Sequence, residues 1–65
     1  MEEIDIWRSA QALIKSHGDG AAMEAAHQAD KLRQRNDHEG HAVWMRILAA
    51  IQELQNERSK DGKTN

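Results

Sequence analysis

The sequence of 65 residues contains no cysteine, proline, tyrosine or phenylalanine. Without cysteine, no disulfide can cross-link the chain and no thiolate can bind zinc. Trp7 and Trp44 are the only aromatic residues, and ten of the apolar residues are alanine. So few bulky apolar side chains predict a domain that is marginally stable as a monomer. We therefore expect a homo-oligomer, with a dimer favoured.

The chain also has no large excess of charge of one sign and no long apolar run. Acidic and basic residues are mixed, and the net charge is −2. This mixture is typical of a solvated surface, so nucleic acid is an unlikely partner. No apolar run approaches the roughly 18 residues of a membrane span, so no membrane association is expected. The acidic start at Met1-Glu2-Glu3 differs from secretory and mitochondrial signals, and we expect a cytoplasmic protein.

The residues that are abundant, mainly Ala, Glu, Gln, Leu, Arg and Lys, favour helix. Two short segments predict breaks. The first is residues 17–20, where Gly18 suits the left-handed position after a helix and Asp19 can cap the next one. The second lies just after Arg35, where Asn36 as N-cap and Glu39 three residues later form a capping box. These signals predict three helices, with the third over about residues 37–57.

Each predicted helix has one apolar face at the helical spacing. The first and third faces are bulky, whereas the second is small enough for the other two helices to approach closely. We therefore predict an all-α, compact three-helix up-down-up bundle over residues 1–58, with residues 59–65 as a disordered tail. The faces are Ile6, Trp7, Ala10, Leu13 and Ile14; Ala22, Ala25, Ala26, Ala29 and Leu32; and Val43, Trp44, Ile47, Leu48, Ala50, Ile51 and Leu54.

Gly40 does not fit the pattern, because glycine weakens the first turn of the third helix by about 1 kcal/mol relative to alanine. Close approach of another backbone and the ordinary tolerance of a helix start both explain it.

The sequence does not predict an enzyme. Ser16 and His17 are neighbours, so their side chains point apart on a helix. A bundle of this size leaves little room for a cleft. We assign no catalytic residue and no cofactor-binding residue.

Two alternative functions remain open at this point. Glu24 and His27 form a Glu-x-x-His pair, and His38 and His41 share a helix face, so a divalent metal could bind. We favour the interpretation that these are surface residues and assign no metal ligand.

The second alternative is a nucleic-acid-binding regulator that uses helices two and three as a helix-turn-helix. The start of the third helix carries Asp37 and Glu39, whose carboxylates would face phosphates. The basic residues Lys31, Arg33 and Arg35 are better explained by the dipole of the second helix.

The leading interpretation is a non-enzymatic protein–protein interaction or adaptor module. Tryptophan is favoured in interfaces, but both tryptophans lie within apolar helix faces and are expected in the core first. The two roles coincide if a second subunit completes the core. The candidate interaction residues are Trp7, Trp44, Ile47, Ile51 and Leu54.

A pattern of landmarks runs through residues 4–54. It consists of Ile6-Trp7, Ala10, Leu13-Ile14, His17-Gly18, Ala21-Ala22, Ala25, Ala29-Asp30, Asp37, Gly40, Val43-Trp44, Arg46-Ile47, Ala50-Ile51 and Leu54. In this pattern the chain resembles an uncharacterised family of short helical bacterial proteins, mostly alphaproteobacterial, classed as a domain of unknown function. The resemblance implies a bacterial, cytoplasmic, stand-alone protein, and it implies no activity, cofactor or site residue.

Overall fold

The computed structural model describes the backbone of residues 2–63 and the side chains of residues 2–56. Helix α1 is Glu3–His17, a 3₁₀ turn follows at Gly18–Gly20, α2 is Ala21–Gln34 and α3 is His38–Lys63. The described residues include no strand. The predicted all-α class is confirmed.

The predicted division into three separate helices is wrong at the first break. The 3₁₀ turn connects α1 directly to α2, so no loop separates them, although Gly18 itself has non-helical dihedral angles. The described chain therefore forms two helical stretches, of which the first is bent at the 3₁₀ turn. Tight i to i+3 hydrogen bonding commonly joins α-helices in this way. The two glycines allow the bend without requiring a non-helical loop.

The bend itself depends on Gly18, which has a positive φ of 57° and a ψ of −125°. The positive φ agrees with the prediction, but the ψ differs from the left-handed helical value of about +47°. This combination is the one that glycine adopts at the first central position of a type II′ turn. The predicted cap at Asp19 is wrong, because the N-cap of α2 is Gly20 and no side chain caps it. Asp19 lies within the 3₁₀ turn instead.

The connection between α2 and α3 combines two capping motifs. The Asn36 N–H donates to the carbonyl of Arg33 at 3.0 Å, and the Asp37 N–H donates to that of Leu32 at 2.9 Å. These bonds form a Schellman motif, in which Asn36 occupies the left-handed position with a φ of 63°. The Asp37 carboxylate then accepts the Gly40 N–H at 2.9 Å and caps α3.

The predicted capping box is therefore wrong in its N-cap. Asn36 closes α2 and the next residue, Asp37, opens α3. Asparagine tolerates the left-handed conformation better than most residues, and aspartate is an equally good N-cap. Either residue could take the left-handed position after α2 or the N-cap position of α3. In this chain Asn36 takes the first and Asp37 the second.

Close contacts explain Gly40 better than general tolerance does. A methyl group at this position would lie 2.8 Å from Oδ2 of Asp37 and 3.0 Å from Cδ1 of Leu32. The neighbours are side chains, not the other backbone that the sequence suggested. Glycine lets the capping carboxylate and the leucine both approach the start of α3.

Helix α3 packs against both α1 and α2. His41 lies near the start of α3 and its Nδ1 is 2.8 Å from the carbonyl oxygen of Ala29. Further along α3, the amide of Gln55 donates to the carbonyl of Gly18 at 3.0 Å. Residue numbers thus rise along α3 as they fall along α2, so the two helices are antiparallel.

The core consists mainly of alanine. Among the described side chains, five of the eight buried apolar residues are alanines, and the three larger ones are isoleucines. In α2 the buried residues are Ala21, Ala25 and Ala29, one above the other at i, i+4 and i+8. Ala26, which the sequence pattern placed on this face, is exposed. The complete set is Ile6, Ala10, Ala21, Ala25, Ala29, Ile47, Ala50 and Ile51.

Helix α3 is longer than the sequence predicted. It continues to Lys63, whereas the predicted helix ends near residue 57 and is followed by a disordered tail. Residues 58–63 contain no proline, so nothing blocks continuation of the helix. The part of the predicted tail at residues 64–65 lies outside the described residues.

Candidate interaction site

The five predicted interaction residues do not occupy one surface. Ile47 and Ile51 are buried in the core, with 3% and 0% exposure. Trp7, Trp44 and Leu54 are half-buried and pack against that core from its edges. Only the half-buried three present apolar surface to the outside. Trp7 does so from α1, and Trp44 and Leu54 do so from α3.

Trp7 lines a groove between α1 and α3, with a volume of about 200 Å³. We call it the Trp7 groove. Its residues are Glu3, Ile6 and Trp7 from α1 and Arg46, Ala49, Ala50 and Glu53 from α3. The three α1 residues lie within little more than one helical turn, and the four α3 residues follow at spacings of three, one and three. Helical periodicity therefore brings each set to one side of its helix.

The groove has an apolar floor and a charged edge. Buried Ile6 and Ala50 form part of the floor, and the half-buried indole of Trp7 lies beside them. Glu3, Arg46 and Glu53 are exposed at the edge. Arg46 forms no ion pair with Glu3 or Glu53, and the one ion pair among the described side chains joins Arg33 to Asp30. Charges of both signs thus lie at the groove without an ionic partner among the side chains of residues 2–56.

Two of the exposed large apolar residues lie close in sequence to groove residues. Ile4 is 58% exposed and lies three residues before Trp7 on α1. Met45 is 43% exposed and lies four residues before Ala49 on α3. Residues three or four apart are neighbours on a helix surface, so both extend the apolar surface beyond the groove. Met23 is 77% exposed on α2 and is separate from this area.

The histidines do not form a metal site within the described part of the chain. No group of three or more His, Cys, Asp or Glu side chains is close enough there to bind a metal ion. Nδ1 of His41 faces the Ala29 carbonyl, which can only accept, so this nitrogen carries the hydrogen. His41 therefore joins α2 to α3. His27 and His38 are exposed.

Hydrogen bonds within α2 hold two of its carboxylates. The Gln28 amide donates to Glu24 at 2.8 Å and holds the pKa of that carboxyl below its usual value. The Arg33 guanidinium donates to Asp30 at 2.8 Å and lowers the pKa of Asp30 in the same way, with a smaller effect from the Gln34 amide. These bonds are local to one helix, so they support α2 without forming a site.

The start of α3 is acidic where a recognition helix would meet DNA. Asp37 and Glu39 are exposed there. Close by on α2, Arg33 is already paired with Asp30 at 2.8 Å. This arrangement does not favour the helix-turn-helix alternative, because phosphate binding depends on cations at the interface.

Sequence reasoning missed the charged residues of the Trp7 groove. Arg46 and Glu53 lie seven residues apart, so they share one side of α3, and this signal was present in the sequence. Glu3 could not be connected with them, because its position depends on how α1 crosses α3.

Comparisons with known proteins identify no relative. No family model, no curated protein and no solved structure matches the chain. The resemblance to the bacterial family therefore stays a prediction. None of the helices among the described residues is long and apolar enough to cross a membrane.

Proposed function

We propose that the chain is a small, non-enzymatic helical interaction module that self-associates, with a dimer as the favoured form. The observation that carries the proposal is the incomplete burial of both tryptophans. Trp7 and Trp44 are only half-buried, while the buried core holds three large side chains and five alanines.

The physical reason is the apolar surface that remains in contact with water. A tryptophan can bury about 150–250 Å², and burial is worth roughly 25 cal/mol per Å² of apolar surface. A small all-α chain without disulfides has few other sources of stability. Another protein surface that covers the exposed part of the Trp7 indole together with Ile4 and Met45 would supply such a source.

Sedimentation equilibrium across a series from low to high micromolar protein tests the proposal. We expect the weight-average mass to rise from that of one chain, 7.4 kDa, towards that of two. Thermal melting followed by circular dichroism should show a midpoint that rises with concentration, because a dimer stabilises the folded state by mass action. A cooperatively folded species that stays monomeric at high micromolar concentration would contradict self-association.

A further inference from the structure

We infer that the Trp7 groove is the surface through which two copies of this chain associate. In this arrangement the two α3 helices cross antiparallel at Ala49, and Arg46 of each copy faces Glu53 of the other. The inference rests on the proposed self-association and adds to it a surface, a symmetry and a register.

The charges of the groove favour a second copy as the occupant. A two-fold interface brings the same patch of both subunits together, so the patch must complement itself. The Trp7 groove does so, because it carries the cation Arg46 and the anions Glu3 and Glu53 on one exposed edge. None of these three is paired with another of them within the chain. A second copy pairs each Arg46 with a Glu53 of the other chain and leaves Glu3 in water, whereas a partner with charge of only one sign would leave either the cation or both carboxylates unpaired.

The spacing along α3 sets the register. In an antiparallel pair of helices related by a two-fold axis, residues at equal distances on opposite sides of the axis face each other. Arg46 lies three residues before Ala49, and Glu53 lies four residues after it. An axis close to Ala49 thus brings each Arg46 opposite a Glu53. Ala49 is exposed and small, so it allows the 8–10 Å separation of closely packed helices.

The dimensions also fit a protein surface better than a small ligand. A groove of about 200 Å³ is smaller than the roughly 300–1,000 Å³ of typical ligand pockets. A standard interface covers about 800 Å² on each partner. That is roughly a sixth of the 4930 Å² accessible surface of this chain. The apolar groove residues and neighbouring Ile4 and Met45 contribute apolar surface to such a contact.

Charge reversal tests the register directly. Arg46→Glu alone and Glu53→Arg alone each place like charges opposite each other twice in a dimer. We expect the dissociation constant of either variant's dimer to be at least about tenfold higher than that of wild type, because like charges across an interface are costly. An equimolar mixture of the two variants restores opposite charges in both pairs, and so does the double variant. Both should recover the association of wild type.

Sedimentation of the full-length chain provides the measurement, and circular dichroism checks that each variant is folded. Lys31→Glu makes a matching change from a cation to an anion at an exposed residue of α2, a helix that contributes nothing to the groove, so it should associate like wild type. Recovery in the mixture supports the inference. A wild-type dimer that Arg46→Glu leaves unchanged, or variants that do not recover on mixing, would overturn this register while self-association stands. A monomeric wild type would overturn both.

Discussion

Replacing Gly40 by alanine should destabilise the chain, although alanine is normally the better helix residue by about 1 kcal/mol. The added methyl group would lie 2.8 Å from Oδ2 of Asp37 and 3.0 Å from Cδ1 of Leu32. Moving the Asp37 carboxylate weakens the N-cap of α3, and loss of an N-cap costs about 0.5–2 kcal/mol. Displacing the leucine from its rotamer costs roughly 0.5–1.5 kcal/mol more. Together the costs are about 1–3.5 kcal/mol against a gain of about 1 kcal/mol, so we expect a net loss of up to about 2.5 kcal/mol.

The other glycines supply matched comparisons. Gly20 has a φ of −86° and nothing within 4 Å of an added methyl group. Gly20→Ala should therefore change stability little, because the gain of about 0.4–1 kcal/mol from a more restricted unfolded state is offset by the preference for glycine over alanine at an N-cap. Gly18 also has open space, but its φ of 57° is strained for any other residue. Gly18→Ala should cost about 1–3 kcal/mol.

Urea unfolding followed by far-ultraviolet circular dichroism measures all three effects. One protein concentration must be used throughout, because self-association adds a concentration-dependent term. Asp37→Ala supplies a further comparison, since it removes the carboxylate that the new methyl group would strike. In that background Gly40→Ala should be clearly less harmful, with a coupling of about 1 kcal/mol. If Gly40→Ala stabilised the wild-type chain by about 1 kcal/mol, as helix propensity alone predicts, the close contacts at the start of α3 would be refuted.

The remaining predictions concern α2. Ala25 is fully buried and Ala26 is exposed, so Ala25→Leu should cost about 1–3 kcal/mol by overpacking while Ala26→Leu changes stability by less than about 0.5 kcal/mol in urea unfolding. If the two variants lost the same stability, the conclusion that Ala25 and not Ala26 faces the core would be wrong. The pKa of Glu24 is lowered in the folded chain, so its contribution is fully present above the ordinary carboxyl pKa of about 4.3 and is lost as the pH falls through the lowered value. Gln28→Ala should therefore reduce stability at neutral pH, and this reduction should become smaller as the pH falls through the lowered pKa of Glu24.

Much of the helical structure could be predicted because it depends on local chemistry. The absence of proline, the periodic apolar residues and the turn residues near 18 and 36 place the helix bounds within a few residues of those observed, except for the end of α3, which lies six residues further along. The errors fall where two neighbouring residues suit the same role. Asn36 and Asp37 are both good N-caps, and only the Schellman bonds to α2 decide that Asn36 closes one helix and Asp37 opens the next.

The burial of the alanines shows the same limit. Ala21, Ala22, Ala25 and Ala26 are chemically identical, so hydrophobicity alone cannot decide which of them face α3. The packing of α3 selects Ala21 and Ala25 and leaves Ala26 exposed. The Trp7 groove was even harder to predict from the sequence, because it joins residues of α1 to residues about 45 positions later. No local pattern indicates how two helices cross.

The uninterrupted backbone from α1 into α2 makes the length of the Gly18–Gly20 turn as important as its composition. Each residue added to a helix rotates everything beyond it by about 100° and advances it by about 1.5 Å. A single inserted residue in the turn would therefore carry Trp7 around α1 and away from Ala50. During evolution, this protein should consequently accept many substitutions at exposed positions but no insertion or deletion at the bend.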